Sequence, residues 1–249
     1  MPKTIRFHTL SAIALITLLS APPLLAQEMT VERLLAANLE ARGGAEAWKN
    51  LKTLKLVGTY NAFSTDSPMT ILRQAPNLFR FDTVLFDAPT TMAFDGKTAW
   101  FQSVAIGAEK PTSIDGVWGR NLRLDSPFGS LLQAYAADGA KIDLLGKQKV
   151  EGETLWALRV EVEGTPTEHF YLDLETFLEV KRTAKTYDVF SGPEFESDME
   201  VFYMDYRNVG GVKIPFREER HYGIRYNVYV VEEVEANAVI DPAEFRAGG

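Results

Sequence analysis

The side chains that could carry out chemistry are few and scattered. Of the three histidines, His8 stands in the leader-like N-terminus, and His169 and His221 sit in β-like runs far apart in sequence. No HExxH or comparable ligand spacing joins them, and with no cysteine in the chain a thiolate zinc site is impossible. A partly exposed strand histidine is the plainer account of both. No GxSxG elbow occurs; "FGS" at 128–130 has no histidine nearby to serve as base. Phosphate-cradling GxxxxGK[ST] and GxGxxG loops are absent as well. Asp173 and Glu175 in "YLDLE" could form a carboxylate pair of the glycosidase kind, but their place beside "TFLE" reads as a solvated hairpin turn. "DYRNVGGVKIPF" offers Arg207, Asn208 and a Gly-Gly turn that could hold an anion on backbone N–H groups, or simply join two strands ahead of Pro215. No catalytic residue, metal site or cofactor is expected, and the chain is not expected to be an enzyme.

The elements that would position any site begin after residue 26. "MPKTIRFHTLSAIALITLLSAPPLLA" has a basic start, Lys3 and Arg6, and an apolar stretch from Leu10 to Leu19, the pattern of a secretory signal peptide ending at Ala26. Residues 27–249 then form one domain. With Lys3 and Arg6 removed, 24 of the 26 Lys and Arg residues remain against 34 Asp and Glu, a net charge of −10. That balance argues against nucleic acid and against an anionic membrane surface. An exported chain without cysteine fits a periplasm, where its core alone must hold it. A soluble monomer is expected.

Thr30 can cap a helix over "VERLLAANLEAR", stopped by Gly43 and Gly44, and "AEAWKNL" continues with Ala45, Trp48 and Leu51 on one face. From Lys52 the period becomes two. In "NLFRFDTVLF" Arg80 and Asp82 share one face while Phe79, Phe81, Thr83 and Leu85 share the other. "AFDGKTAWF" is a hairpin signal, since Asp95 and Gly96 suit a tight turn. Residues 104–139 interrupt the strands, with a short helix expected after Ser126 and Pro127 whose apolar stripe is Phe128, Leu131, Leu132 and Tyr135. About a dozen strands with no βαβ alternation predict one large antiparallel sheet that curls. Apolar faces recur at Trp156, Leu158, Val160 and Val162; at Phe202, Met204 and Tyr206; and at Ile224, Tyr226, Val228 and Val230. Residue by residue these serve a packed core; together they exceed what a few short helices can cover, and a ligand with acyl chains could share them.

"PNLF" at 76–79 followed by "DGKTAWF" at 95–101 resembles the LolA/LolB-like lipoprotein-sorting family of periplasmic carriers. An N-terminal helix after a leader, "SPFGSLL" at 126–132, "DYRNVGGVKIPF" and a closing "DPAEF" agree in order. The resemblance implies an α+β fold, an open, incomplete antiparallel β-barrel wrapped over lid helices. It implies a soluble periplasmic chaperone that binds the acyl chains of a lipoprotein or other lipid and passes them toward the outer membrane. Its partners would be an inner-membrane release complex and an outer-membrane receptor. On that basis the cavity and lid are expected to use Phe79, Phe81, Trp100, Phe128, Leu131, Leu132, Tyr135, Trp156, Leu158, Phe170, Phe202, Met204 and Tyr226. Family carriers place a basic lid latch immediately before "PNLF"; here Ala75 stands there, and Arg73, an even step away on the same strand face, is the candidate. An envelope sensor using the same fold to bind a partner is the alternative, and an acyl hydrolase a third.

Overall fold

Capping chemistry fixes where regular structure starts. The computed structural model describes residues 28–187, 196–223 and 225–248; the expected leader at 1–26 and the expected core residue Ile224 lie outside them. Thr30 caps α1 (Val31–Ala41), its side chain accepting from the Arg33 N–H at 3.3 Å, with Glu32 in the positive first turn. Gly43 ends the helix at φ +112°, and a Cβ there would stand 2.3 Å from the Gly211 carbonyl oxygen. Glycine is demanded twice over, by conformation and by close approach. α2 (Gly44–Asn50) follows at once.

Among the described residues thirteen strands build a single sheet. They are β1 (Thr53–Ala62), β2 (Thr65–Gln74), β3 (Leu78–Leu85), β4 (Ala88–Phe94), β5 (Ala99–Ser103), β6 (Ala108–Ile114), β7 (Lys141–Val150), β8 (Glu153–Glu161), β9 (Glu168–Asp173), β10 (Glu179–Tyr187), β11 (Glu196–Val209), β12 (Val212–Tyr222) and β13 (Arg225–Ala236). Every pairing is antiparallel, in the order β6-β5-β4-β3-β2-β1-β13-β12-β11-β10-β9-β8-β7. The chain walks outward from β1 to one edge, crosses, and walks back from the other edge until β13 lies beside β1. The edges β6 and β7 do not meet, so the barrel stays open. α3 (Gly116–Asp125) and α4 (Leu131–Ala137) are the crossing itself, and α3 reaches both halves, touching β4 and β5 on one side and β10 on the other.

The stretch 104–139 therefore holds more order than its sequence announces. β6 carries Pro111 and charges because it is an edge strand. α3 contains Gly116 and Gly119, and its Asp115 cap makes no side-chain hydrogen bond, so no helix signal marks it. α4 begins at Leu131 with Ser130 as its cap, a turn later than expected after Ser126 and Pro127. The Asp95-Gly96 hairpin is present between β4 and β5: the Asp95 carboxylate accepts from the Lys97 N–H at 2.9 Å and the Thr98 N–H at 2.6 Å, and Gly96 takes φ +90°.

Two large apolar clusters divide the interior, with a smaller one of Ala184, Met199 and Val201 on β10 and β11. One joins β1–β5 to β12 through Leu54, Ile71, Phe79, Phe81, Val212 and Phe216. The other packs α1 and α4 on β8 and β9 through Leu34, Leu132, Tyr135, Leu158, Val160, Phe170 and Leu172. Outside the sheet, Trp100 pairs with Ala93, which pairs with Arg80, and so shares the outer face. Its Nε1 donates to the Phe245 carbonyl at 2.8 Å under a 3-10 turn at Pro242–Phe245, while Arg80 binds the Glu244 carbonyl at 2.7 Å. The closing "DPAEF" thus clamps the back of the sheet, and Trp100 is not a cavity residue. Phe245 is fully buried there, so Phe245→Ala should cost about 3–5 kcal/mol in urea unfolding.

Candidate functional site

Register alone brings a polar and aromatic set onto the inner face. Tyr203, Glu218, Tyr229 and Tyr60 are successive cross-strand partners over β11, β12, β13 and β1. Two residues along, Phe170, Arg182, Val201 and Arg220 form a parallel row over β9 to β12. Directly opposed residues project to one side of a sheet. Burial pushes the Tyr203 hydroxyl up to about 12, so it stays a neutral hydrogen-bonding group.

Two cavities open over these rows. One, of about 190 Å³, has Leu54, Leu56, Ile71, Phe79, Phe81 and Val231 in its apolar wall and Arg42, Arg73 and Glu179 at its polar side. The other, of about 290 Å³, is bounded by Leu85, Ile114, Met199, Tyr222 and the rim residues Phe63 and Tyr226. Tyr60, Met92, Leu122, Leu124, Asp125, Arg182, Arg220 and Tyr229 line both, so the two are chambers of one space parted by the end of α3. At the rim Phe63 is 45% exposed, Phe86 60% and Tyr226 50%, and the first two rings lie 5.1 Å apart. Phe63 and Phe86 occupy two-residue hairpin turns at φ +53° and +50°, a conformation in which bulky side chains are uncommon.

Asp125, the last residue of α3, is held from two sides. Its carboxylate accepts from Arg220 Nη1 and Nη2, both at 2.9 Å, and its carbonyl accepts from Arg73 Nη1 at 2.8 Å. Arg73 Nη1 also reaches the Pro127 carbonyl at 3.1 Å. A guanidinium on the final carbonyls of a helix meets its negative end. Burial lowers the pKa of Arg73, while Arg220 is raised well above its ordinary value because Asp125 and Glu218 outweigh the same burial. Each cation also covers a ring: Arg73 stands 5.0 Å from the Phe79 centroid and Arg220 5.0 Å from Tyr229.

α4 is fastened differently. Buried Glu179 on β10 accepts from Arg42 Nη1 at 2.9 Å and from the hydroxyl of Ser130, joining the end of α1 to the start of α4. Gln133 Nε2 donates to Asn38 Oδ1 at 2.8 Å, and Asn38 Nδ2 to the Phe177 carbonyl at 2.8 Å.

Of the expected cavity residues, Phe79, Phe81, Leu131, Phe170 and Arg73 line the first chamber, and Tyr226 the second. Phe128 packs edge-on against Trp48 at 6.1 Å, and its N–H donates to the Pro76 carbonyl at 3.0 Å, tying "SPFGS" to "PNLF". Leu132, Tyr135, Trp156 and Leu158 belong to the packed cluster between the helices and β8–β9 rather than to a cavity wall. Tyr135 does meet a strand aromatic, Phe170, at 6.1 Å, and its hydroxyl donates to Glu168 at 2.9 Å. Phe202 and Met204 stand on the opposite parity from the buried Met199 and Val201. Phe202 packs outside, 4.8 Å from Lys181 Nζ and 5.0 Å from the His221 ring. Asp125, Arg220 and Leu122 were missed; "RLDSP" and "REER" carry no signal that distinguishes them from surface charge.

The fold and site define an open antiparallel half-barrel whose concave space is covered by its own crossing helices. Solved structures share that form. A LolA superfamily protein from Nitrosomonas europaea is similar at TM-score 0.58 and 13% identity over 89% of this chain and 99% of that one. A candidate outer membrane lipoprotein-sorting protein domain from Vibrio parahaemolyticus gives 0.57 and 10%, over 86% and 96%. A DUF1329 family protein from Desulfovibrio piger gives 0.56 and 11%, over 87% and 97%. No protein-family model matches the chain, and no curated protein sequence matches it. At these identities the likeness is one of fold: the open antiparallel half-barrel is shared with these three structures.

The buried Glu179 gives the site a pH signature. Burial alone would raise its pKa, but Arg42 and Ser130 prevail and hold it below the ordinary 4.5. A depressed folded-state value stabilises the fold above pH 4.5 and loses that contribution as pH falls through the lower, folded value. Glu179→Gln should flatten the acid limb of stability against pH. It should also cost about 3–5 kcal/mol at pH 7, because Arg42 is left buried without its carboxylate. Urea unfolding over pH 3 to 7 checks both.

Proposed function

We propose that this chain is a soluble periplasmic carrier that binds acyl chains of lipoproteins or other lipids for transfer toward the outer membrane, and that it acts by binding rather than catalysis. The observation that carries the reading is the partition: one apolar space divided by a helix end that two arginines hold in place. The LolA-type fold of the neighbours, one of them described as lipoprotein-sorting, supports it. α3 is the movable cover, and α4 stays with the packed cluster on β8 and β9.

The magnitudes permit exchange. Leu122 and Leu124 on α3 stabilise the closed state by about 1.5–3 kcal/mol each. An acyl chain of about twelve methylenes gains roughly 10 kcal/mol at ~0.8 per methylene. Chain and helix compete for the same wall, and differential affinity for the open form shifts the population. The aromatic rim of Phe63, Phe86 and Tyr226 offers an apolar entry to the second chamber.

Native mass spectrometry of protein purified from its own periplasm tests the cargo: a co-purifying lipid or lipopeptide is expected, and a stoichiometric protein partner in its place would turn the reading to a sensor. Arg73→Ala tests the latch. Losing charged hydrogen bonds worth about 1.5–3 kcal/mol shifts the cover equilibrium roughly ten- to hundredfold toward open. Nile red binding should rise accordingly while far-ultraviolet circular dichroism is unchanged. Unaltered dye binding would remove α3 from the mechanism.

A further inference from the structure

The partition carries more charge than an acyl chain needs, and its arrangement points to the chemistry at the end of that chain. In the closed form Arg220 grips both oxygens of the Asp125 carboxylate at 2.9 Å, and its Nε reaches Glu218 at 2.6 Å. Arg73 has no carboxylate at ion-pair distance among the described residues; its acceptors are the carbonyls of Asp125 and Pro127. Arg182 lies in the same cross-strand row as Arg220, two strands away, roughly 10 Å at ordinary strand spacing. Its Nη1 bonds Glu168 at 2.9 Å, while its buried Nε has no hydrogen-bond partner, and the same is true of the Arg42 Nε. All four guanidinium groups line the first chamber.

Three of the acceptors that satisfy this set, the Asp125 carboxylate and the two carbonyls, belong to α3 and the turn after it. When α3 leaves, Arg220 keeps only Glu218 and Arg73 keeps neither carbonyl. A guanidinium facing an apolar chamber is costly unless an anion or hydrogen-bond acceptors meet it. A neutral hydrocarbon supplies neither.

We propose that the occupant is an amphiphile with an anionic head, a carboxylate or a phosphate, and that this head takes the place of the Asp125 carboxylate on Arg220, with Arg73 beside it. The planar fork of arginine receives either anion in the bidentate way it receives Asp125. Asp125 is then an internal competitor: the protein closes on its own carboxylate and opens to a foreign one. This inference rests on the acyl-binding reading above and adds the head group to it.

The test is displacement of the uncharged dye Nile red from the purified protein at pH 8 by dodecanoate, dodecyl phosphate, dodecanol and inorganic phosphate. Both anionic amphiphiles should act at concentrations about tenfold below dodecanol, the difference expected of charge-assisted bonds. Asp125→Asn should widen that ratio by removing the competitor, and Arg220→Gln should collapse it toward one. If Arg220→Gln fails to fold, the wild-type ratio and Asp125→Asn still decide. Equal potency of dodecanoate and dodecanol would overturn the head-group inference and leave acyl binding standing. No displacement by any amphiphile would overturn both. Displacement by inorganic phosphate as potent as that by dodecyl phosphate would overturn the lipid source and leave an ion site.

Discussion

An antiparallel sheet that does not close must cover its concave side with something, and here the cover depends on two arginines meeting one residue. Arg73 comes from β2 and Arg220 from β12, on opposite sides of the β1–β13 seam, and both end on Asp125. No local propensity would hold α3 there. Gly119 lies inside the helix, where glycine lowers intrinsic propensity by about 1 kcal/mol, and the Asp115 cap contributes no side-chain bond. The stability of α3 is therefore tertiary, and it is concentrated at its last turn. α1 and α4 stand in contrast, riveted by Glu179, Asn38 and Gln133 and by the leucines beneath them. The two crossing helices differ in kind: one is core, and the other is a cover.

Topology makes that division natural. The chain spends β1 to β6 on one half and β7 to β13 on the other, so the connection between halves must pass over the open face. In this chain residues 115–140 make that passage. α4 presents Leu132 and Tyr135 to the cluster on β8 and β9, while α3 places Leu122 in the β1–β5 cluster and, with Leu124, borders the space that remains partly unfilled.

Much of this was legible where local signals and tertiary demands agree. The Thr30 cap, the Asp95-Gly96 turn and the alternation that turns Phe79 and Phe81 inward all follow from short-range chemistry. Failures came where distant chain changes what a face means. Trp100 looked like a cavity residue because apolar residues stand on both faces of β5, and only the arrival of the Phe245 segment gives the outer face a reason to be apolar. On β11 the grouping of Phe202, Met204 and Tyr206 took the outer parity of the strand for the inner one, although the register with β12 runs unbroken from Met199 to Val209. Met204 pairs with Arg217 and Tyr206 with Pro215. Asp125 and Arg220 were invisible for a further reason: an ion pair between residues 95 apart has the composition of ordinary surface charge.

The choice of an ion pair for the closure has its own physical consequence. Replacing a buried salt bridge with apolar residues is often neutral or stabilising, so such a pair is poor evidence for a fold built to be rigid. What it does provide is a contact with a narrow geometry and a steep penalty when one partner leaves alone. An all-apolar seam would admit any hydrocarbon in proportion to its area, since hydrophobic attraction is non-directional. A seam that ends on Arg220 and Asp125 resists intrusion by neutral chains, because opening strands a cation, and yields most readily to an entrant that satisfies that cation. Selectivity of this kind arises from the cost imposed on the wrong ligand as much as from attraction to the right one. Apolar walls give the chamber its capacity, and the charged partition sets the terms on which it opens.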